Sequence, residues 1–398
     1  MMIIDNSNNS PFSKSEHDNR LNKIKKEMTL KNIEVLLDSD PANIYYTTGY
    51  DAVSYYTPQI MIISIYHSEP ILLVRDIDVL AVKIRTELSS DSIHGWNDSF
   101  VDNETSHPFE KAVELIIELE LKQCQIGIEI DAGMTTFDDI NFLKKHLKNK
   151  ITECRRLINF VRIVKSDNEI KYMRQAGKIT EHAMQAGFSA MSEGVRESDV
   201  IAKIYHAFIT GTEEYGGDYP SNPPVMPTGN RSATPHLTWS DEALIKDQNL
   251  TLELSGARHR YHCPLARTVY IGKTPPKDLV DATKYAIEGI HETLEAIAPG
   301  MSLSEVHMAW DKVNKNRNLG KTSRLGYSVG CSFPPSWLER TASIRAEDKT
   351  TLEPNMTFHL IAGIWKNKWG AEVSETFQVT NLGASLLCNL SQEIHHIK

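Results

Sequence analysis

Between residues 249 and 272 the chain reads NLTLELSGARHRYHCPLARTVYIG, and no other stretch restricts the possible folds so tightly. Two aliphatic and β-branched runs, 250–254 and 268–271, bracket a segment dense in Arg, His, Tyr and Cys. Runs of that length ending in Gly predict paired strands, from which the residues between them project into a common space. Glu253 is the outlier, a carboxylate between Leu252 and Leu254. Burying a carboxylate is strongly unfavourable unless it is paired or used. A salt bridge to Arg258, Arg260 or Arg267 would satisfy it, and so would a role in chemistry.

A chain of 398 residues has room for two domains with full cores, and 40% apolar and 24% charged residues are the proportions of an ordinary globular protein. A formal net charge of −9, without any long Lys/Arg run, argues against a nucleic-acid partner. The five cysteines, Cys124, Cys154, Cys263, Cys331 and Cys388, are scattered and form no CxxC pair, so neither a zinc knuckle nor a disulfide framework is expected. The N-terminal residues lack the apolar core of a signal peptide, and no run reaches the length of a membrane span. A cytoplasmic protein without a membrane partner is expected.

In chain order, a charged helix over 16–31, a strand over 33–37 and a turn at 38–41 lead into NIYYTTGYDAVSYYTPQ (43–59), which holds five tyrosines and one acid, Asp51. That aromatic density suits either packing or a binding loop. A hairpin over 60–66 and 71–75, a helix over 109–121, a strand over 125–130 and a helix over 137–147 complete an α/β pattern, so residues 1–164 form a smaller first domain. Residues 165–398 form the second. Its Ser166-Asp-Asn-Glu169 is a capping box opening a long helix, and another helix starts near Ser198. The loop that follows, up to Ala243, is rich in Gly and Pro and carries His236 and Trp239; a long loop of this kind is functional or disordered, and these two side chains favour function. Beyond the 249–272 pair come a helix over 277–298, a cap at Ser302-Leu-Ser-Glu305 and the segment GYSVGCSFPPSWLERT (326–341). Two apolar runs close the chain, 356–365 with His359 and 370–380 with Glu372 and Glu375. Strands with helices grouped apart predict an α+β second domain.

A His in a Pro/Gly loop, a strand with an acid, an Arg-Thr strand, a GxSxG segment and two late strands, in that order, resemble the pita-bread superfamily of methionine aminopeptidases, prolidases and creatinase. The resemblance covers the whole chain, because creatinase-like members also carry a smaller α/β N-terminal domain. It implies an α+β protein with a C-terminal pita-bread catalytic domain. In the metallopeptidases of the superfamily, two Asp, one His and two Glu hold a pair of metal ions. Counted from Arg267-Thr268, those positions here carry Glu253, Pro264, Tyr327, Ile361 and Ser374. Pro, Ile and Tyr cannot replace Asp, Glu and His in a site built from oxygen and imidazole donors. The superfamily's loop histidine survives as His236. Ligands lost and histidine kept is the pattern of the metal-free branch represented by creatinase, so no metal and no other cofactor is expected. Within that branch, GYD…SYYTPQ, GGDYP…MPTG, PHLTWSD, RHRYHCPLARTVYIG and GYSVG…PP look like the ectoine hydrolases; Ala52-Val53 depart from the Gly-Trp usual after GYD.

This resemblance implies hydrolysis of the cyclic amidine of ectoine or 5-hydroxyectoine to N-acetyl-2,4-diaminobutyrate. The alternatives are creatinase-like C–N hydrolysis of another cationic amidine or guanidine carboxylate, and a non-catalytic module that binds peptides or proteins. An amidinium carbon is already electrophilic, which lessens the need for a Lewis acid. Glu253 would attack that carbon or hold the ring by charge, and His236 would serve as acid/base or be structural. Glu375 would pair with the other ring nitrogen or close a salt bridge. Tyr327 offers substrate a hydroxyl, and Arg340 would take the substrate carboxylate or pair with Glu339. Trp239, His262 and His359 are further substrate-binding candidates, with Cys263 read as packing. The loop with Asp51 and Tyr56 resembles the segment that one creatinase-like subunit offers to its partner's site, which implies a homodimer.

Overall fold

The computed structural model describes residues 10–398 apart from 104, 133, 134, 148 and 149. The chain divides into two compact units between Arg162 and Ile163.

The first unit begins with α1 (Lys14–Leu30), β1 (Val35–Asp38), α2 (Pro41–Thr48), β2 (Ile60–Ser64) and β3 (Ile71–Arg75). It continues through α3 (Val79–Arg85), β4 (Ile93–Trp96), α4 (Phe109–Glu118), β5 (Ile126–Glu129), α5 (Phe137–His146), β6 (Ile151–Cys154) and α6 (Leu157–Val161). The strands form one sheet in the order β4-β3-β2-β1-β5-β6. Both faces are buried: Leu36, Ile63 and Leu72 pack with α1, and Val35, Ile62 and Leu73 pack with α4. Much of the tyrosine-rich segment, read from sequence as a loop, is the helix α2. Asp40 caps it by accepting from the amides of Ala42 and Asn43, Pro41 opens it, and Gly49 at φ 80° ends it. Tyr45, Tyr46 and Tyr50 are buried, so these rings pack, whereas Tyr56 is 73% exposed.

The second unit starts with α7 (Asp167–Ala190), where the Ser166/Glu169 capping box forms reciprocally, and α8 (Glu197–Thr210). β7 (Gln248–Arg258) and β8 (Tyr261–Ile271) follow, then α9 (Lys277–Ala296) and α10 (Leu303–Asn316). The chain ends through β9 (Gly326–Val329), β10 (Leu338–Ile344), β11 (Thr357–Trp365), β12 (Gly370–Thr380), β13 (Gly383–Leu386) and β14 (His395–Ile397). One sheet runs β10-β9-β11-β12-β13 and the other β14-β8-β7. The β7–β8 hairpin is longer than its apolar runs suggested. Its Arg and His residues lie mostly within the strands, and only His259 and Arg260, both at positive φ, make the turn. Helix α7 lies so close to β7 that a Cβ on Gly256 would stand 2.8 Å from the Ala176 carbonyl oxygen.

Strand alternation decides what faces what. Phe358 and Leu360 of β11 pack with Val373 and Phe377 of β12 into a core shared with Ala286 and Ile290 of α9 and Trp310 of α10. Residues of the other parity, including Ile361 and Glu372, face away from that core. Hydroxyls join β8 to β12: Thr268 Oγ1 donates to the Glu372 carbonyl at 3.0 Å and accepts from the Glu372 amide at 2.8 Å. Ser374 Oγ accepts from the Ala266 amide at 2.6 Å, and Thr376 Oγ1 donates to the Pro264 carbonyl at 2.6 Å.

Candidate active site

A cavity of about 580 Å³ opens among these strands. Glu253 enters it from β7, Tyr327 from β9, Ile361 from β11 and Glu372 from β12. Pro235 and His236 reach it from the Pro-rich loop, and Trp337 from the residue before β10. The connection between α10 and β9 supplies Lys321 and Arg324.

The two carboxyl groups are buried, and both are held above the ordinary carboxylate range. Loss of water pushes the Glu253 carboxyl up to about 7. Burial, and then the charge of Glu253, pushes Glu372 well above the ordinary range. The two titrate as a pair, and while one is charged the other keeps its proton. Oε2 of Glu372 has no hydrogen-bond partner among the described residues. Cations share the cavity. Burial lowers Lys321 to about 8, with Glu372 acting in the opposite sense, and its Nζ donates to Ser323 Oγ at 2.7 Å. The Arg324 guanidinium lies 4.6 Å from the centre of the Tyr327 ring and donates to Ser343 Oγ at 3.1 Å. A site with an ionisable carboxylate, a protonated acid and two cations can hold a zwitterion and move a proton within it.

Behind the wall sits His359, fully buried and pushed down to about 3 by loss of water, so its ring is neutral at ordinary pH. Its Nδ1 lies 3.2 Å from Tyr327 Oη and 4.0 Å from Glu253 Oε1, and its Nε2 lies 2.7 Å from Ser374 Oγ. Trp337 Nε1 donates to the same Tyr327 oxygen at 3.0 Å.

The Pro-rich loop is ordered against the β7 edge. The Val225 amide donates to the Glu253 carbonyl at 2.8 Å, the Glu253 amide returns a bond to Val225 at 3.0 Å, and Asp218 bonds Ala257 at 2.9 Å. Glu197, at the start of α8 and buried, then gathers the stretch around His236. It accepts from Thr228 Oγ1 and Arg231 Nη2 on one side, and from the Ser240 amide at 2.6 Å and Ser240 Oγ at 3.0 Å on the other. These bonds hold Glu197 below the usual carboxylate range despite its burial.

Of the side chains expected from sequence, Glu253, His236 and Tyr327 line the cavity. Glu375 does not. It stands opposite Leu360, on the helix-facing side of β12, where Arg267 Nη2 at 2.7 Å and Gln392 Nε2 at 2.9 Å both donate to its Oε1. His359 does not line the cavity but stands behind Tyr327, Glu253 and Trp337, which do. His262 is a structural residue: the Ser221 amide donates to its Nε2 at 3.0 Å, so Nδ1 carries the proton and donates to the Arg260 carbonyl at 2.9 Å. Trp239 packs edge-on to Tyr205 of α8, with centroids 6.3 Å apart. Arg340 is exposed at φ 60°, where the β9–β10 pairing skips from Leu338 to Ser343, and Glu339 is bound by Lys165 Nζ at 2.6 Å. Asp51 and Tyr56 belong to the first unit, where Tyr56 Oη accepts from Arg75 Nη1 at 3.2 Å. The sequence reading passed over Glu372, Lys321 and Arg324.

The donor set does not fit a pair of metal ions. Among the described residues, no group of three or more His, Cys, Asp or Glu is arranged to hold one. Pro264 and Ile361 offer no side-chain donor, and both nitrogens of the nearest buried histidine, His359, are engaged.

Residues 171–381 match metallopeptidase family M24, and residues 20–164 match the Creatinase/Prolidase N-terminal domain. An uncharacterized hydrolase/peptidase of Sinorhizobium fredii is 37% identical, over 96% of this chain and 98% of that protein. The ectoine hydrolase of Halomonas elongata is 34% identical, again over 96% and 98%. Among solved structures, the prolidase from Thermococcus sibiricus superposes with a TM-score of 0.83, covering 97% of this chain and 100% of that one at 18% identity, a likeness of fold. No helix of the described residues is long and apolar enough to cross a membrane. With both domains matched and close relatives spanning nearly the whole chain, this protein belongs to metallopeptidase family M24, as a hydrolase of the pita-bread, creatinase-like superfamily.

Proposed function

We propose that the chain opens the ring of a cyclic amidine bearing a carboxylate, ectoine or 5-hydroxyectoine, without a metal ion. The observation that carries this reading is the pairing, in one cavity, of two buried carboxyl groups, both held above the ordinary carboxylate range, with Lys321 and Arg324. Ectoine joins an amidinium to a carboxylate, so its two charges complement those two sets of residues. The likeness to the Halomonas ectoine hydrolase supports the same substrate.

In this reading Lys321 and Arg324 receive the substrate carboxylate, and the ionised Glu253 faces the amidinium carbon. The Glu253 oxygen bonds to that carbon, and the carbon–nitrogen double bond collapses onto nitrogen. Glu372, still protonated, gives its proton to the departing ring nitrogen as the ring bond breaks. His236 then draws one proton from water as the water oxygen bonds to the carbon. The bond between that carbon and the Glu253 oxygen breaks, the second water proton passes to Glu372, and His236 gives its proton to the freed amine, releasing N-acetyl-2,4-diaminobutyrate. The protein is incubated with ectoine, hydroxyectoine and creatine, and products are followed by proton NMR. A new acetyl resonance from ectoine or hydroxyectoine is expected; turnover of creatine alone points to the creatinase-like alternative, and turnover of none defeats the amidine reading.

A further inference from the structure

Tyr327 and Ser374 stand at two of the positions where the metallopeptidase pattern calls for ligands, and His359 links them. We propose that Ser374, His359 and Tyr327 form a directional hydrogen-bond chain that turns the Tyr327 hydroxyl proton into the cavity. Tyr327 is thereby a donor to the amidine group during ring opening, with His359 and Ser374 as its positioning residues. The catalytic role rests on the function proposed above; the direction of the chain does not.

The direction follows from counting donors and acceptors. Ser374 is fully buried, and its Oγ already accepts from the Ala266 amide. Its own proton has one acceptor among the described residues, His359 Nε2 at 2.7 Å. Nε2 must then be unprotonated, and in a neutral ring the proton sits on Nδ1. Nδ1–H donates to Tyr327 Oη at 3.2 Å, and the indole of Trp337, which can only donate, gives a second bond at 3.0 Å. Both acceptor sites of the phenol oxygen are filled, so its O–H points away from both, toward the space that Tyr327 lines. The reverse assignment gives Ser374 two incoming N–H bonds and strands its proton in a dry site, where an unpaired donor is strongly unfavourable. Burial and the charge of Glu253 both push the Tyr327 phenol up, so the hydroxyl keeps its proton and donates a hydrogen bond only.

The test uses the full-length protein with 15N-labelled histidine. A two-bond proton–nitrogen correlation spectrum, assigned with His359→Gln, reads the tautomer of His359 directly. A neutral ring protonated on Nδ1 is expected in the wild type, with the Nε2–H form gaining ground in Ser374→Ala. On ectoine, Tyr327→Phe should lower kcat on the order of 100-fold, as loss of one preorganised donor does, with less change in KM. Ser374→Ala should move kcat in the same direction by a smaller factor. An Nε2-protonated or doubly protonated His359 in the wild type overturns the chain, as does a tautomer indifferent to Ser374→Ala. Wild-type kcat in Tyr327→Phe overturns the catalytic role. A wild-type protein that does not hydrolyse ectoine defeats the proposed function, while the spectrum still decides the direction of the chain.

Discussion

Replacing Glu253 by Gln should make the protein more stable and nearly inactive, and the gain in stability should depend on pH in a defined way. Gln keeps the size and much of the hydrogen-bonding capacity of the protonated acid but cannot ionise. Burial raises the folded-state carboxyl from 4.5 to about 7. Below about pH 4.5 the acid is protonated in folded and unfolded chains alike, and the substitution is nearly neutral. Between 4.5 and about 7 only the unfolded chain ionises, so the wild type loses stability as pH rises; above about 7 the loss is complete. At about 1.4 kcal/mol for each tenfold change, the full effect is about 3 kcal/mol. For a domain of this size that corresponds to a rise in Tm of roughly 6–12 °C. Thermal unfolding of both proteins from about pH 5 to about pH 8, where this linkage applies, checks it. Turnover of ectoine by the variant should fall by several orders of magnitude, since the nucleophile is gone. A Gln variant no more stable than wild type at the alkaline end, or a stability gap that ignores pH, refutes the claim that Glu253 is held uncomfortably dry for the sake of chemistry.

Other outcomes follow from the same geometry. Activity should survive exhaustive EDTA treatment, with no stoichiometric Zn, Mn or Co by elemental analysis; activity lost on chelation and restored by metal would overturn the metal-free proposal. Lys321→Met should raise KM for the amidine about 10- to 100-fold, the range of one hydrogen bond to a charge, with kcat affected less; an unchanged KM removes Lys321 from carboxylate recognition. Glu197→Ala should lower kcat and expose the 228–240 stretch to limited proteolysis, because four hydrogen bonds to that stretch end on this carboxylate; unaltered cleavage would show that the stretch holds without it. If the loop with Asp51 completes a neighbouring subunit's site in a homodimer, mixing inactive Asp51→Ala and His236→Ala proteins should recover part of the activity, whereas no recovery despite subunit exchange argues for sites built within one chain.

Local chemistry was readable from the residues alone. The Ser166 and Ser302 capping boxes open α7 and α10 where their spacing says they must, because a cap is satisfied by atoms three residues away. The apolar runs at 250–254 and 268–271 lie within paired strands, and the single acid among them, Glu253, lines the cavity. Even the choice between Glu372 and Glu375 was partly legible. With Ser374 assigned to a ligand position, the period of two puts Glu372 on the same face and Glu375 on the other. Tertiary structure decided what depends on partners distant in the chain. Arg267 claims Glu375 from a strand more than a hundred residues earlier, Ser221 and Arg260 consume both nitrogens of His262, and an irregularity in β10 carries Arg340 out of step. Lys321 and Arg324 sit in a connection without periodicity, so nothing in their neighbours reveals that they face Glu253 and Glu372 in one cavity. A carboxyl group's acidity, likewise, belongs to its surroundings: desolvation raises both Glu253 and Glu372, the charge of one raises the other, and both effects arise only when the strands have packed.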